Sequence, residues 1–439
     1  MDNRLAKPEG RVHKRTISDQ QKRRDIALKR QSQGRRDLQH HARQLVSLAV
    51  PPSSSSVFEE HGAVTGHQEA EAIDIQSSES SVFGHEVDVV AEKVEGWHGD
   101  QEEDAIGVVE ATRLKGTKAR EWFKHQFMIP EWMVDVPSHL RKDWYVMARP
   151  SGERCLVVSS NGTTVSRLRN GCIRHCFPSA LPNGSRTRES IAASQVFCIL
   201  DCIYHEPQKT YYIIDMMCWR GYSLYDCNYE FRHFWITSKL EETGVLGPTS
   251  KFHRYQFSIV PVFECGKAGF QAAYDGDVPF ERDGCLFLNR HAHYVLGVTP
   301  LALLWKDPVS SRYHVDTDRI GNVPAYQQIV LELQDDGTVA TCDQPGVVLG
   351  SMPQDFLLKN KEHLQAGMLL KFTIGDKGLS ILDGKPVTAD IHYQGLANRF
   401  RAGADSVSKV LFQYAARHCP LAFSDILAAI EASDDEMDI

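Results

Sequence analysis

The sequence has no apolar run of membrane length and no start with the layout of a secretory signal. Its 11 cysteines are odd in number and scattered, so a disulfide framework is not expected and the setting reads as reducing and intracellular, with no membrane contact. Cys198, Cys202 and His205 superficially suggest zinc. The two cysteines, however, share a face of one short apolar segment and no second Cys/His pair follows at finger spacing, so no metal site and no cofactor is expected. Positive charge is nearly missing from residues 49–110, where Lys93 stands alone against 15 acids. This stretch is Ser-rich (PPSSSSVFEE, SSESSVFGHE) and lacks the apolar content of a core, so 49–110 reads as an acidic disordered linker.

The missing cations sit just upstream. Residues 1–48 hold 13 Lys/Arg against 5 acids. The stretch 11–46 reads as helical from about Ser18, with Ser18 and Gln21 as a capping box and Gly34 midway. Its cations, Arg11, Lys14, Arg15, Lys22, Arg23, Arg24, Lys29, Arg30, Arg35, Arg36 and Arg43, face nearly all round, and the apolar stripe (Ile26, Leu38, Leu45) is thin. Such a helix is expected not to dock on its own domain and to form fully only on an acidic partner. A solvated basic tail, or a nonspecific nucleic-acid arm, is the plainer alternative.

The rest of the 439 residues is long enough for a large core. The densest signal is FCILDCIYHEPQKTYYIIDMMCW. Its apolar residues are β-branched or aromatic, and it reads as a buried hairpin of Phe197–Tyr204 and Tyr211–Cys218, the floor of a ligand site, with one carboxylate per strand, Asp201 and Asp215. Those acids need partners and read as structural. A helix around Lys115–Phe127 and strands at Asp143–Ala148, Cys155–Ser159, Tyr255–Val262, Gly284–Leu288 and Leu301–Trp305 make 112–308 an α+β domain. Within 309–432, short strands (Gln328–Gln334, Val347–Leu349, Met368–Thr373, Leu379–Leu382) fit a small β-barrel or sandwich, closed by helices at Ser406–Arg417 and Ser424–Ala432. Residues 433–439 read as a disordered acidic tail.

Four segments occur in the order known from nucleotidyltransferases of the mRNA-capping and ligase type: Arg149-Pro150-Ser151-Gly152-Glu153-Arg154, the Asp201/Asp215 hairpin, Asp283-Gly284-Cys285-Leu286-Phe287 and Leu304-Trp305-Lys306. The resemblance puts Arg149 where that superfamily has its nucleophilic lysine and Ser151 where its acid follows. An arginine stays protonated and cannot form the phosphoamidate, so the chain is expected not to be an enzyme. The resemblance further implies an OB-like domain after Pro308, with Arg401–Lys409 a loose echo of a final motif.

The segments PEWMVDVP, ILDCIYHEPQKTYYIIDMMCWRG, YDCNYEFRHFW and PFERDGCLF are similar to the snurportin family, adaptors that carry spliceosomal small nuclear ribonucleoproteins into the nucleus. The resemblance covers roughly Lys14–Lys306 apart from the linker. It implies binding of the 2,2,7-trimethylguanosine cap of small nuclear RNA, an importin-β-binding arm at residues 1–48, an exportin for recycling, and shuttling between nucleus and cytoplasm. Trp305 matches the family's stacking tryptophan, Trp132 the position facing the N2 methyls and Arg154 a family arginine, while Arg169 falls where lysine is usual. N7-methylation makes guanine a delocalised cation, so a tryptophan face gains stacking and cation–π energy, and the triphosphate bridge wants guanidinium or ammonium groups. Two departures stand out: Pro130 replaces a small polar residue, and the spacing from Thr299 to Trp305 is one residue longer than the family's. Two other readings remain open, an active guanylyltransferase or ligase with a different lysine and a general RNA-binding protein that uses the basic arm.

Overall fold

The computed structural model describes residues 18–33, 38–49, 118, 122–186, 196–317, 321–398 and 401–435. The expected hairpin is present as β6 (Cys198–His205) and β7 (Thr210–Trp219), buried along their whole length. They join β3 (Glu153–Ser160), β4 (Thr163–Leu168), β5 (Ile173–Phe177) and β8 (Tyr222–Ser223) in a sheet of order β5-β4-β3-β6-β7-β8, with β9 (Gln256–Ile259) parallel to β7. A second sheet contains β1 (Met128–Trp132), β2 (Trp144–Pro150, entered from the short α3, Leu140–Asp143), β10 (Phe263–Glu264), β11 (Arg282–Asn289) and β12 (Gly297–Trp305), in the order β1-β12-β11-β2-β10. The chain crosses from the second sheet to the first between Pro150 and Glu153. Gly152 makes that crossing at φ +144°, and a Cβ there would lie 2.3 Å from the Tyr204 carbonyl oxygen, so the turn demands glycine.

The two buried acids of the hairpin are both spent. Asp201 accepts from Arg154 (Nε 3.0 Å, Nη2 2.6 Å) and from the Tyr294 hydroxyl at 2.7 Å. Asp215 accepts from Arg232 at 2.8 Å through both nitrogens. Arg232 comes from α4 (Tyr229–Glu241), the aromatic helix that follows the hairpin. Each pairing satisfies a charge that would otherwise cost several kcal/mol to bury.

Residues 328–396 form a third sheet from β13 (Gln328–Leu333), β14 (Thr338–Ala340), β15 (Val348–Ser351), β16 (Leu369–Leu382) and β17 (Lys385–Leu396), in the order β15-β14-β13-β16-β17, with α6 (Gln354–Lys359) between β15 and β16. The strands expected at Met368–Thr373 and Leu379–Leu382 are one strand, irregular between Ile374 and Leu379 where Gly375 and Gly378 let it bend. α7 (Val407–His418) starts at Ser406, whose Oγ accepts from Lys409 N at 3.3 Å. α8 (Phe423–Asp435) runs on through the first three residues of the expected tail; 436–439 lie outside the described residues. Residue 308 marks a change of sheet and no break in the core, because Trp144, Phe287 and Trp305 share one buried cluster with Leu331, Phe372, Leu411 and Ile426.

The arm departs most from expectation. α1 (Gln20–Gln33) and α2 (Gln39–Ala49) both lie against the chain's own sheets. α1 docks by polar groups. Arg23 donates to both Glu131 oxygens (3.1 and 2.7 Å), Gln20 Nε2 donates to Glu131 and to the Trp132 carbonyl at 2.8 Å, and the Ser18 backbone N–H and hydroxyl meet Asp135 at 2.7 and 2.5 Å. Arg24 is buried, donates to the Asp135 carbonyl at 3.3 Å and lies 5.9 Å from the Trp144 ring; burial lowers its pKa to about 10. The expected capping box does not form, since Gln21 Oε1 accepts from Ser138 N instead. The thin apolar stripe was the wrong guide because Glu131 and Asp135 supply the acidic partner from within the chain. α2 docks by apolar groups: Ala42, Leu45, Val46, Leu48 and Ala49 are buried, and Arg167 donates to the Leu48 and Ala49 carbonyls at the helix end. Arg11, Lys14, Arg15, Arg35 and Arg36, the acidic linker from residue 50 on and, within Lys115–Phe127, residues 115–117 and 119–121 lie outside the described residues; a helical turn runs over 122–124.

Leu45→Ala should cost α2 about 2–5 kcal/mol of docking energy. Amide exchange over residues 39–49 should accelerate while β6 and β7 stay protected; equal acceleration throughout would mean that α2 unfolds only with the core.

Candidate functional site

Asp283 is where three of the four motif segments meet; the fourth, the hairpin, spends its acids elsewhere. It closes the positive-φ turn before Gly284, where a Cβ would lie 2.5 Å from the Trp305 carbonyl oxygen. Its carboxylate pairs with Arg149 at the end of β2, accepts from Lys306 Nζ at 2.5 Å just after β12, and accepts from Ser311 Oγ at 2.6 Å. Burial alone would raise the Asp283 pKa, but Arg149 and Lys306 hold it below the usual carboxylate range. Desolvation and the neighbouring Arg149 lower Lys306 to about pKa 8 despite its pairing with Asp283. Arg149 is therefore one arm of an ion-pair cluster.

Trp132 lies beside this cluster at the end of β1. Its ring is 5.6 Å from Lys306 Nζ, 6.0 Å from Lys409 Nζ and 4.9 Å, centroid to centroid, from Phe412 on α7. Its backbone N–H donates to Ser408 Oγ at 3.0 Å. Lys409 is paired with Asp316 at 2.8 Å and Asp405 at 3.0 Å; burial works against its charge, and these two acids raise its pKa nonetheless. A cavity of about 90 Å³ opens next to this group between Met133, Val134, Lys306, Phe412 and Leu421.

The other expected site residues divide. Trp305 has no exposed surface: its indole N–H donates to the Leu421 carbonyl at 3.0 Å, and Phe270 and Tyr274 of α5 (Lys267–Asp275) pack on it at 6.1 and 5.8 Å. The stacking face expected there is covered. Along a strand, neighbours point to opposite faces, so Trp305 fills the core and Lys306 takes the site side. The irregular spacing before it is visible as a bulge, because β1 advances one residue from Pro130 to Glu131 while its partner β12 advances from Thr299 to Leu303. Arg154 is also committed, to Asp201 and to the Met128 carbonyl at 2.7 Å; burial would lower its pKa, and Asp201 raises it. The cleft above the hairpin, bounded by Pro130, Arg154, Asp201 and Ala302, is only about 10 Å³. Arg169 is exposed and pairs with no carboxylate among the described residues. Desolvation, then repulsion from Arg154, Arg149 and Arg401, lowers its pKa to about 10; since the residue is exposed, the repulsion is the firmer cause.

Sequence reasoning left Arg149, Asp283, Lys306, Lys409 and Phe412 out of the site. The first three sit inside the motif segments and were within reach. The last two come from α7: Lys409 closes the stretch read as a loose echo of a final motif, and Phe412 lies beyond any segment with a recognisable pattern. Among the arm's cations, Lys22, Lys29, Arg30 and Arg43 are exposed, while Arg23 and Arg24 are occupied by the chain's own acids and carbonyls.

Lys306 sets a pH signature. Its folded pKa of about 8 lies below its unfolded value near 10.5, so the unfolded chain binds more protons between those limits and stability rises with pH across that window. Lys306→Met, which leaves Asp283 paired with Arg149 and Ser311, should flatten this rise in urea unfolding measured from pH 8 to 10.5. An unchanged slope would assign the shift to another group.

Among solved structures the chain is similar to a mycobacterial DNA ligase D complexed with ATP and MES (12% identity, 62% of this chain and 95% of that chain, TM-score 0.30). It is also similar to the ligase domain of M. tuberculosis LigD (12% identity, 63% and 96%, TM-score 0.31) and to the ATP-dependent DNA ligase from bacteriophage T7 in complex with ATP (9% identity, 63% and 99%, TM-score 0.29). The family model of the Snurportin1 m3G cap-binding domain matches residues 126–308, the span that holds Trp132, Asp283 with Arg149 and Lys306, and the paired acids of the hairpin, and this match supports a snurportin-like domain over those residues.

Proposed function

We propose that the chain is a non-catalytic import adaptor that binds the 2,2,7-trimethylguanosine cap of spliceosomal small nuclear RNA around Trp132 and offers its N-terminal arm to importin-β. The observation that carries this reading is the setting of Trp132 within the matched domain: a partly exposed indole flanked by two ammonium groups, Lys306 paired with Asp283, which Arg149 shares, and Lys409 paired with Asp316 and Asp405. A ring so placed tolerates positive charge, and the N7-methylated base is a flat cation, worth about 1–3 kcal/mol in stacking alone. Arg169, exposed and without an acid of its own, suits the triphosphate bridge. Arg154 shapes the cleft by fixing Asp201, and Trp305 serves from behind by anchoring the strand that ends in Lys306. The third sheet, with a helix between its third and fourth strands, reads as the OB-like domain that goes with a nucleotidyltransferase-like one. Arg149 leaves that scaffold without a nucleophile. A labelled nucleotide adduct formed at high protein concentration would restore the enzyme reading.

Docking of α1 on Glu131 and Asp135 uses Arg23 and Arg24, cations that importin-β would also need, so importin-β and the chain's own β1 region compete for the arm. An exportin for recycling belongs to the same reading, as does shuttling between nucleus and cytoplasm.

Two measurements test this function. In tryptophan-quenching titrations of the full chain, Trp132→Ala should lower cap affinity by on the order of tenfold or more, whereas undiminished binding would remove Trp132 from the site. In pull-down titrations with importin-β, Glu131→Gln with Asp135→Asn should tighten binding by on the order of tenfold, because charged hydrogen bonds of about 1.5–3 kcal/mol no longer hold the arm. Affinity unchanged by the double substitution would mean that the arm binds without leaving its dock.

A further inference from the structure

Ser18 forms the turn into α1, and its side chain is aimed at an acid. Its backbone N–H and its hydroxyl both donate to one oxygen of the Asp135 carboxylate, at 2.7 and 2.5 Å, while the hydroxyl oxygen accepts from Gln20 N at 3.3 Å. Only 6% of the residue is exposed. The tip of the β16–β17 hairpin packs on the same turn, where a Cβ on Gly384 would lie 2.5 Å from the Ser18 carbonyl carbon. The cations close to this turn are occupied: Lys385 pairs with Asp19 at 3.5 Å, and Arg23 pairs with Asp19 and with Glu131. The docked hydroxyl thus serves as a donor to a carboxylate in a place with no spare room. In the sequence, Lys14 and Arg15 stand four and three residues ahead of Ser18. Cations so placed suit the acidic substrate groove of an arginine-directed serine/threonine kinase.

We propose that Ser18 is a phosphorylation site and that its phosphate undocks α1 from the β1 region. The kinase transfers the γ-phosphoryl group of MgATP. The bond from Ser18 Oγ to phosphorus forms, the bond from that phosphorus to the β–γ bridging oxygen breaks, ADP leaves, and the hydroxyl proton passes to the kinase's base and on to solvent. The product does not fit the docked arm. Phosphorus replaces the proton that Asp135 accepts, and a charge of about −1.5 to −2 then faces that carboxylate across a contact already at 2.5 Å. In the undocked arm none of these costs applies, and an anion at the N-terminal end of a helix is favourable. Phosphorylation therefore holds the arm released, with Arg23 freed from Glu131 and Arg24 from the Asp135 carbonyl. The docked arm is a feature of the fold; what the released arm then meets rests on the proposed function.

The test treats the full chain with a purified arginine-directed serine/threonine kinase and MgATP, maps the modified residue by mass spectrometry and reads amide exchange over residues 20–33. Phosphate is expected on Ser18. Exchange over 20–33 should accelerate by about tenfold or more while β6 and β7 stay protected, because a charged hydrogen bond has been replaced by repulsion. Ser18→Glu should act in the same direction, and Ser18→Ala, which loses the bond without adding the repulsion, should accelerate exchange less. Glu131→Gln with Asp135→Asn loosens the dock and should raise the rate of Ser18 modification by about tenfold, since the buried hydroxyl has to leave the dock to reach the kinase. Absence of phosphate from Ser18 even in that loosened chain, or a phosphorylated chain whose α1 exchanges at the unaltered rate, overturns the inference. No importin-β takes part in this assay, so its failure leaves the proposed function standing; failure of importin-β to bind the unaltered chain would sink that function and leave the Ser18 switch intact.

Discussion

The carboxylate of Asp283 holds together elements that have no sequence proximity. It ties the end of β2 through Arg149, the end of β12 through Lys306 and the following segment through Ser311. A partly buried acid with three such partners is costly to disturb, since removing it would leave two cations without compensation. Lys306 is thereby fixed next to Trp132, and the segment that follows β12 is fixed against the sheet it leaves. The region around Trp132, the small cavity and the entry to the C-terminal sheet are all built on that cluster. Arg149 spends its charge on that structure.

The fold was readable where local chemistry decides it. The β6–β7 hairpin was visible because dense β-branched and aromatic residues admit little else, and its two acids announced that partners must exist. They did not announce which. Asp215 takes Arg232 from the next helix, whereas Asp201 takes Arg154 and Tyr294 from places far along the chain. Trp305 shows the same limit within a site. Its residue type and motif position suit stacking equally well on either face of β12, and only the packing of α5 and Leu421 turns it inward. Phe412 carried no signal at all, being an ordinary apolar residue on an amphipathic helix until its contact with Trp132 is seen.

The arm teaches a different lesson. Its apolar content correctly marked α1 as unable to dock by hydrophobic burial, but polar docking suffices: Arg23 and Gln20 meet the Glu131 carboxylate, Ser18 the Asp135 carboxylate and Arg24 the Asp135 backbone carbonyl. Glu131 and Trp132 are neighbours on β1, so their side chains point to opposite faces of one strand. The arm's dock and the ring proposed to receive the cap are thus two sides of the same short element.

The most direct measurement is an equilibrium tryptophan-quenching titration of the unaltered full chain with trimethylguanosine and monomethylguanosine cap analogues under identical salt. The account expects saturable quenching by both and tighter binding of the trimethyl form. Equal affinities for the two caps, or no quenching at all, would contradict it and leave the fold without the specificity claimed for it.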